Sequence, residues 1–193
     1  MTINLKSLIG ALSFAASLTF SAGVVSTANA ATIEITGDTT GGTTWNRPFF
    51  TSLSGIGTAT PLQAIEFMVD TSGDYDFEIL TSAADFDTYL HLYDDNGFDP
   101  LDQFTGLQAF DDDGGVGLLS ALSATLGDNT SLIAGVLYTI VVSGFNNADF
   151  GTFTLEISGP GNISTTAVPL PAALPLFMAG FGGLMAFRRK QSS

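Results

Sequence analysis

Along the middle of the chain, apolar and polar residues alternate with a period of two. In Asp74–Leu80 the residues Tyr75, Phe77 and Ile79 fall on one face and Asp74, Asp76 and Glu78 on the other. In Gly151–Ser158, Phe153, Leu155 and Ile157 oppose Thr152, Thr154, Glu156 and Ser158. Successive side chains of a strand point to opposite faces, so both segments read as half-buried antiparallel strands. Further strands are predicted at Thr32–Thr36, Ala64–Asp70, Thr88–Tyr93 and Val136–Ser143, with a weaker one at Phe104–Phe110. The run Val136–Val142 is apolar on both faces, which predicts a central strand. Gly41-Gly42, Asp95-Asn96-Gly97, Asp112-Asp113-Gly114-Gly115 and Gly127-Asp128-Asn129 supply the turns between them. Many short strands at this spacing predict an all-β body, an antiparallel β-sandwich of jelly-roll or Greek-key type with a Phe-rich core.

Helical patterns are confined to the two ends. At the start, Lys6 precedes an uncharged apolar stretch, and Ala28-Asn29-Ala30 puts small residues where signal peptidase requires them, so a signal helix cleaved between Ala30 and Ala31 is expected. A retained amino-terminal anchor is the alternative. At the other end, the twenty residues from Val168 to Phe187 carry no charge. Pro169, Pro171 and Pro175 interrupt the first part. What is left is a helix of about 20 Å, short for a hydrocarbon core of about 30 Å. Arg188, Arg189 and Lys190 follow it and would stay on the cytoplasmic side, leaving the body outside. The predicted organisation is a signal peptide over 1–30, a β-domain over 31–167 and a carboxyl-terminal segment over 168–193.

The order Val168-Pro169-Leu170-Pro171, apolar run, Arg188-Arg189-Lys190 resembles the PEP-CTERM sorting signal of Gram-negative bacteria. That resemblance implies recognition by an exosortase, a membrane cysteine protease that cuts near the Pro-containing motif. It also implies transient residence in the inner membrane, release to the cell surface or outside the cell, and association with exopolysaccharide and biofilm. Leu170 stands where the commonest form of the motif has Glu. An ordinary tail anchor is the other reading of the same segment. Thr36–Pro48 is also similar to an opening found in PEP-CTERM proteins. In the body, Phe86–Gly97, Phe110–Gly117 and Gly135–Gly161 are similar to the bacterial prepeptidase carboxyl-terminal domain, which implies a non-catalytic β-sandwich some of whose relatives bind calcium or matrix polymers.

Charge sharpens the picture of the body. All nineteen Asp and Glu residues lie between Glu34 and Glu156, a span in which Arg47 is the only cation. Such a polyanion disfavours nucleic acid and anionic membranes and attracts divalent cations. There is no cysteine, which removes disulfides, thiolate metal sites and cysteine nucleophiles.

Three groups of residues are candidates for chemistry. Asp85 and Asp87, then Asp94, Asp95 and Asn96, then Asp111, Asp112 and Asp113 lie in loops that could offer hard oxygen ligands to calcium. Their spacing is not that of an EF-hand, and Asp and Asn are equally at home there as turn formers. Tyr89, His91 and Tyr93 share the face of their strand opposite Leu90 and Leu92. An exposed aromatic row of this kind could stack sugar rings, whereas a covered one would serve packing. His91 is the only histidine, and with no Gly-x-Ser-x-Gly elbow and no body lysine it reads as a structural histidine on the polar face. The expected protein is an exported, exosortase-processed, non-catalytic surface or matrix protein. A calcium-dependent polysaccharide-binding module is the alternative, and a secreted hydrolase comes third.

Overall fold

A computed structural model of the chain describes residues 30–81 and 84–165. The two terminal helices expected from the sequence, the signal cleavage site beyond Ala30 and Ala31, the sorting motif and the basic end lie outside these residues. Among the described residues there is no helix, and every strand pairing is antiparallel. The strands in chain order are β1 (Ala31–Asp38), β2 (Thr44–Trp45), β3 (Pro48–Phe49), β4 (Ser52–Leu53), β5 (Thr60–Val69), β6 (Gly73–Asp74) and β7 (Asp76–Ile79). They continue with β8 (Thr88–Tyr93), β9 (Leu107–Asp111), β10 (Ala121–Leu122), β11 (Ser131–Leu132), β12 (Leu137–Gly144), β13 (Thr152–Gly159) and β14 (Ile163–Thr165).

Two sheets carry the structure. One has the order β1-β13-β7-β10 and the other β14-β5-β12-β8-β9, with β2 added at the start of β5. The predicted alternation appears in the first sheet as a burial pattern. Tyr75, Phe77, Ile79, Leu155 and Ile157 are fully buried, while Asp74, Asp76 and Thr152 are exposed. Thr154 departs from the alternation and is buried as well. The apolar face of this sheet meets Ile65, Phe67, Leu90, Leu92, Tyr138, Ile140 and Val142 of the second sheet in one core, within which the rings of Phe67 and Phe77 are 5.7 Å apart and edge to face.

The second sheet is buried on both sides. β12 sits in its middle, as its apolar run predicts, and every residue of β8 is buried. Beyond it lies a smaller apolar cluster of Trp45, Leu62, Tyr93 and Val141, with Ala64, Phe98 and Leu107 packed on it. Trp45 comes from the segment 44–59, which crosses the outer face of the sheet as a strap.

Strand ends differ from expectation where local chemistry intervenes. β5 begins at Thr60 rather than Ala64 because its first residues find partners, Thr60 and Pro61 on β2 and Leu62 and Gln63 on β12. The weaker segment at 104–110 is a strand only over Leu107–Asp111, joined to β8 through an irregularity between Leu92 and Tyr93.

Phe77 is fully buried and faces the second sheet, so Phe77→Ala should lower stability by about 3–5 kcal/mol, read from the urea unfolding midpoint. A loss below about 1 kcal/mol would mean that the two sheets do not share a core.

Candidate functional site

The strap is fastened to the sheet by Arg47. Its side chain is 1 % exposed, and Nε and Nη2 donate to the carbonyl oxygen of Phe145 at 3.0 and 2.8 Å. The guanidinium carbon lies 4.0 Å from the ring centroid of Tyr89 and 5.0 Å from that of Phe145, a cation–π arrangement. Gly57 leaves the room this needs, since a Cβ there would come within 2.6 Å of the Arg47 Nε. The backbone closes the same loop: Arg47 N–H donates to Gly57 O at 3.1 Å, and Ser54 N–H donates to Arg47 O at 2.9 Å. Burial lowers the Arg47 pKa, opposed by Tyr89, Asp112 and Asp87, and Nη1 is buried with no hydrogen-bond partner.

Beneath the strap lies the aromatic row. Tyr89, His91 and Tyr93 occupy the face opposite Leu90 and Leu92, but they are 2 %, 0 % and 0 % exposed, so the row is covered and offers no open stacking face. His91, read from the sequence as a structural histidine on the polar face of its strand, is enclosed there. The physical reason is the strap: Trp45 packs edge to face on His91 at 4.9 Å, and Tyr89 stacks on the other side at 4.6 Å. His91 Nε2 lies 3.3 Å from the carbonyl oxygen of Pro48. A carbonyl can only accept, so Nε2 carries the proton and Nδ1 is the bare nitrogen, buried without a partner. Burial pushes the His91 pKa down to about 3, with Arg47 acting in the same direction. Tyr93 donates to Gln103 O at 2.8 Å.

The acidic loops separate into turn formers and one crowded corner. Asp94 Oδ1 accepts from the backbone and side-chain nitrogens of Asn96 at 2.9 and 2.8 Å, an Asx turn, and Asp95 and Asn96 are exposed. Asp111 Oδ2 accepts from the amides of Gly114 and Ala121 and so shapes its own loop. Asp85 and Asp113 are exposed, whereas Asp87 and Asp112 are half-buried. Among the described residues, no group of three or more His, Asp or Glu side chains is placed to hold one metal ion. Asp87 Oδ1 is buried without a partner. Burial first, then Asp149, Asp113 and Asp112, push its pKa up to about 6 against the pull of Arg47.

Where the strap's hairpin meets β9, a groove of about 430 Å³ opens. Phe49, Phe50, Tyr89 and Phe110 form its apolar wall, and Gln108, Asp111, Asp112, Asp128 and Asn129 its polar rim. Phe50 stands edge to face against Phe49 at 4.7 Å and against Phe110 at 5.6 Å, so the rings meet in an open corner. Phe50 is 66 % exposed and has a φ of 53°, the only positive φ of a non-glycine among the described residues. It occupies the first central position of the two-residue turn between β3 and β4, where glycine is preferred. A bulky side chain in that conformation costs roughly 1–2 kcal/mol. The sequence reading named Tyr89, Asp111 and Asp112 for separate reasons, and the fold brings them to this one groove. It missed Phe49 and Phe50, whose signal was two adjacent aromatics after a proline with no apolar partner two residues away.

No protein-family model matches the chain, and the search of curated proteins finds no match to it.

The site titrates in two opposing directions. His91 has a folded pKa of about 3 against an ordinary 6.5, so only the unfolded chain takes up its proton in that window, and stability falls as pH drops from about 6.5. Asp87 has a folded pKa of about 6 against an ordinary 3.8, so the folded chain takes up the proton first, and stability rises as pH drops from about 6 to about 4. Asp111 and Asp112, both raised chiefly by burial, act in the same sense as Asp87. Asp87→Asn removes one side of this balance. Its urea midpoint should therefore fall from pH 6 to pH 4 more steeply than that of the parent protein; parallel curves would show that Asp87 is not perturbed.

Proposed function

We propose that this chain is an exported, non-catalytic protein of the cell surface or extracellular matrix, directed there by its two ends and processed by signal peptidase and an exosortase. The sequence of the tail carries this reading: Val168-Pro169-Leu170-Pro171, a short apolar run and Arg188-Arg189-Lys190 occur in the order of a PEP-CTERM signal. Its body we take as an antiparallel β-sandwich of jelly-roll or Greek-key type, since two sheets with non-sequential strand orders contribute to one core. The position of the one histidine supports the non-catalytic assignment. A general base must reach the proton it abstracts, and the accepting nitrogen of His91 is sealed between Trp45 and Tyr89.

A second reading, a module that binds exopolysaccharide, is favoured by the groove at Phe49 and Phe50. Exposed aromatic faces beside carboxylates and amides are the surfaces on which sugar rings stack and hydrogen-bond. The two readings are compatible, because a matrix protein held outside the cell works by binding.

Intact-mass analysis of material from the cell surface or medium should show a chain that begins at Ala31 and lacks Arg188-Arg189-Lys190. Pro169→Ala with Pro171→Ala should leave an uncut form in the inner membrane. Recovery of the complete tail in the exported product would sink the sorting assignment.

A further inference from the structure

We infer that the groove between the Phe49–Phe50 turn and the Asp111–Asp112 end of β9 binds a glycan that carries free amino groups, with a sugar ring on the phenyl faces and an ammonium group on Asp112. The inference deepens the polysaccharide-binding reading and rests on it.

Charge selects the sign of the ligand. Nineteen carboxylates face one body cation, and that cation, Arg47, is 1 % exposed and already engaged by Phe145 and Tyr89. An anionic polymer meets repulsion with no compensating contact at the groove, whereas a polycation is drawn towards it. Within the rim the carboxylates differ in their duties. Asp111 holds Gly114 and Ala121, and Asp128 holds the amide of Ser123 at 3.0 Å. Asp112 is half-buried beside them and is the carboxylate we assign to the ammonium group.

Shape selects a sugar. The wall is a corner of rings that meet at 82° and 88°, open on one side, rather than a slot for a single alkyl chain. A pyranose presents an apolar C–H face and a polar perimeter, which suits phenyl faces bordered by carboxylate and amide oxygens. Phe49 is 41 % exposed and Phe50 66 % exposed, so both rings are accessible. A strained backbone that keeps a large aromatic ring in water, at a turn position where glycine fits better, breaks a local rule, and such breaks concentrate at binding sites.

Calorimetric titration of the full chain, kept in solution with a sugar-free detergent at about 0.15 M salt, tests this. The probes are the glucosamine hexamer, the N-acetylglucosamine hexamer and hexalysine. The glucosamine hexamer should bind at least about tenfold more tightly than its acetylated counterpart, and Phe50→Gly and Asp112→Asn should each weaken it by about tenfold or more. Hexalysine, attracted only by overall charge, should bind weakly and equally to the parent protein and to Phe50→Gly. Phe50 is at an exposed turn and Asp112 on the rim, and a urea midpoint no lower than that of the parent protein verifies that each variant is folded. Equal binding of the two hexamers overturns the amino-group assignment and leaves the polysaccharide reading standing. Binding of neither hexamer sinks both, and a loss of hexalysine binding in Phe50→Gly as large as the loss of hexamer binding would assign the groove to basic peptides instead. Processing of the tail does not enter this measurement, so its outcome is independent of the sorting assignment.

Discussion

A guanidinium taken out of water loses several kcal/mol of hydration, and the body of this protein accepts that loss once, at Arg47. No carboxylate forms a close ion pair with it among the described residues. Its compensation is the Phe145 carbonyl, which accepts two hydrogen bonds from it, and the electron-rich faces of Tyr89 and Phe145. These partners belong to β8 and to the loop after β12, so the arginine ties three distant stretches of chain into one unit. Whatever the strap covers or presents depends on that tie.

Two consequences run in opposite directions from it. Inward, the strap covers the outer face of the second sheet, so that β8 and most of β12 are buried on both sides and His91 and Tyr93 are out of contact with solvent. Outward, the same segment turns back at Phe50 and leaves its rings beside β9, where Phe110 and the Asp111–Asp112 carboxylates complete a groove. The aromatic residues of this region therefore divide into buried ones that hold the strap and exposed ones that remain open to a ligand. Tyr89 belongs to both, buried under Arg47 yet reaching the groove wall, so the fastening and the groove share a side chain.

Much of this was legible in the sequence, and the limits have physical causes. β7, β8, β12 and β13 could be read because period-two burial, or burial on both faces, leaves a mark on four or more consecutive residues. β2, β3, β4, β10 and β11 are two-residue strands, too short to carry a period, and their pairing is decided by the chain that lies beside them. Tyr89, His91 and Tyr93 were placed on the correct face, but periodicity says nothing about what lies above a face. The strap reads as a loop because Pro48, Gly55 and Gly57 punctuate it. Its informative residues were Arg47, the one Lys or Arg between Glu34 and Glu156, and the adjacent aromatics Phe49 and Phe50. The acidic turns were ambiguous between ligand sets and turn formation, because Asp and Asn serve both; at Asp94 and Asp111 the side chains accept hydrogen bonds from backbone amides of their own and adjoining loops.

The dependence of the strap on its fastening is measured most directly by a double-mutant cycle between Arg47 and Tyr89. Arg47→Met removes the charge while keeping an unbranched apolar stem, and Tyr89→Leu removes the ring. The cation over the ring predicts a coupling of about 1–2 kcal/mol between the two changes in unfolding free energy. Additivity within about 0.5 kcal/mol would contradict it, and would mean that the Tyr89 ring contributes nothing to the fastening of Arg47.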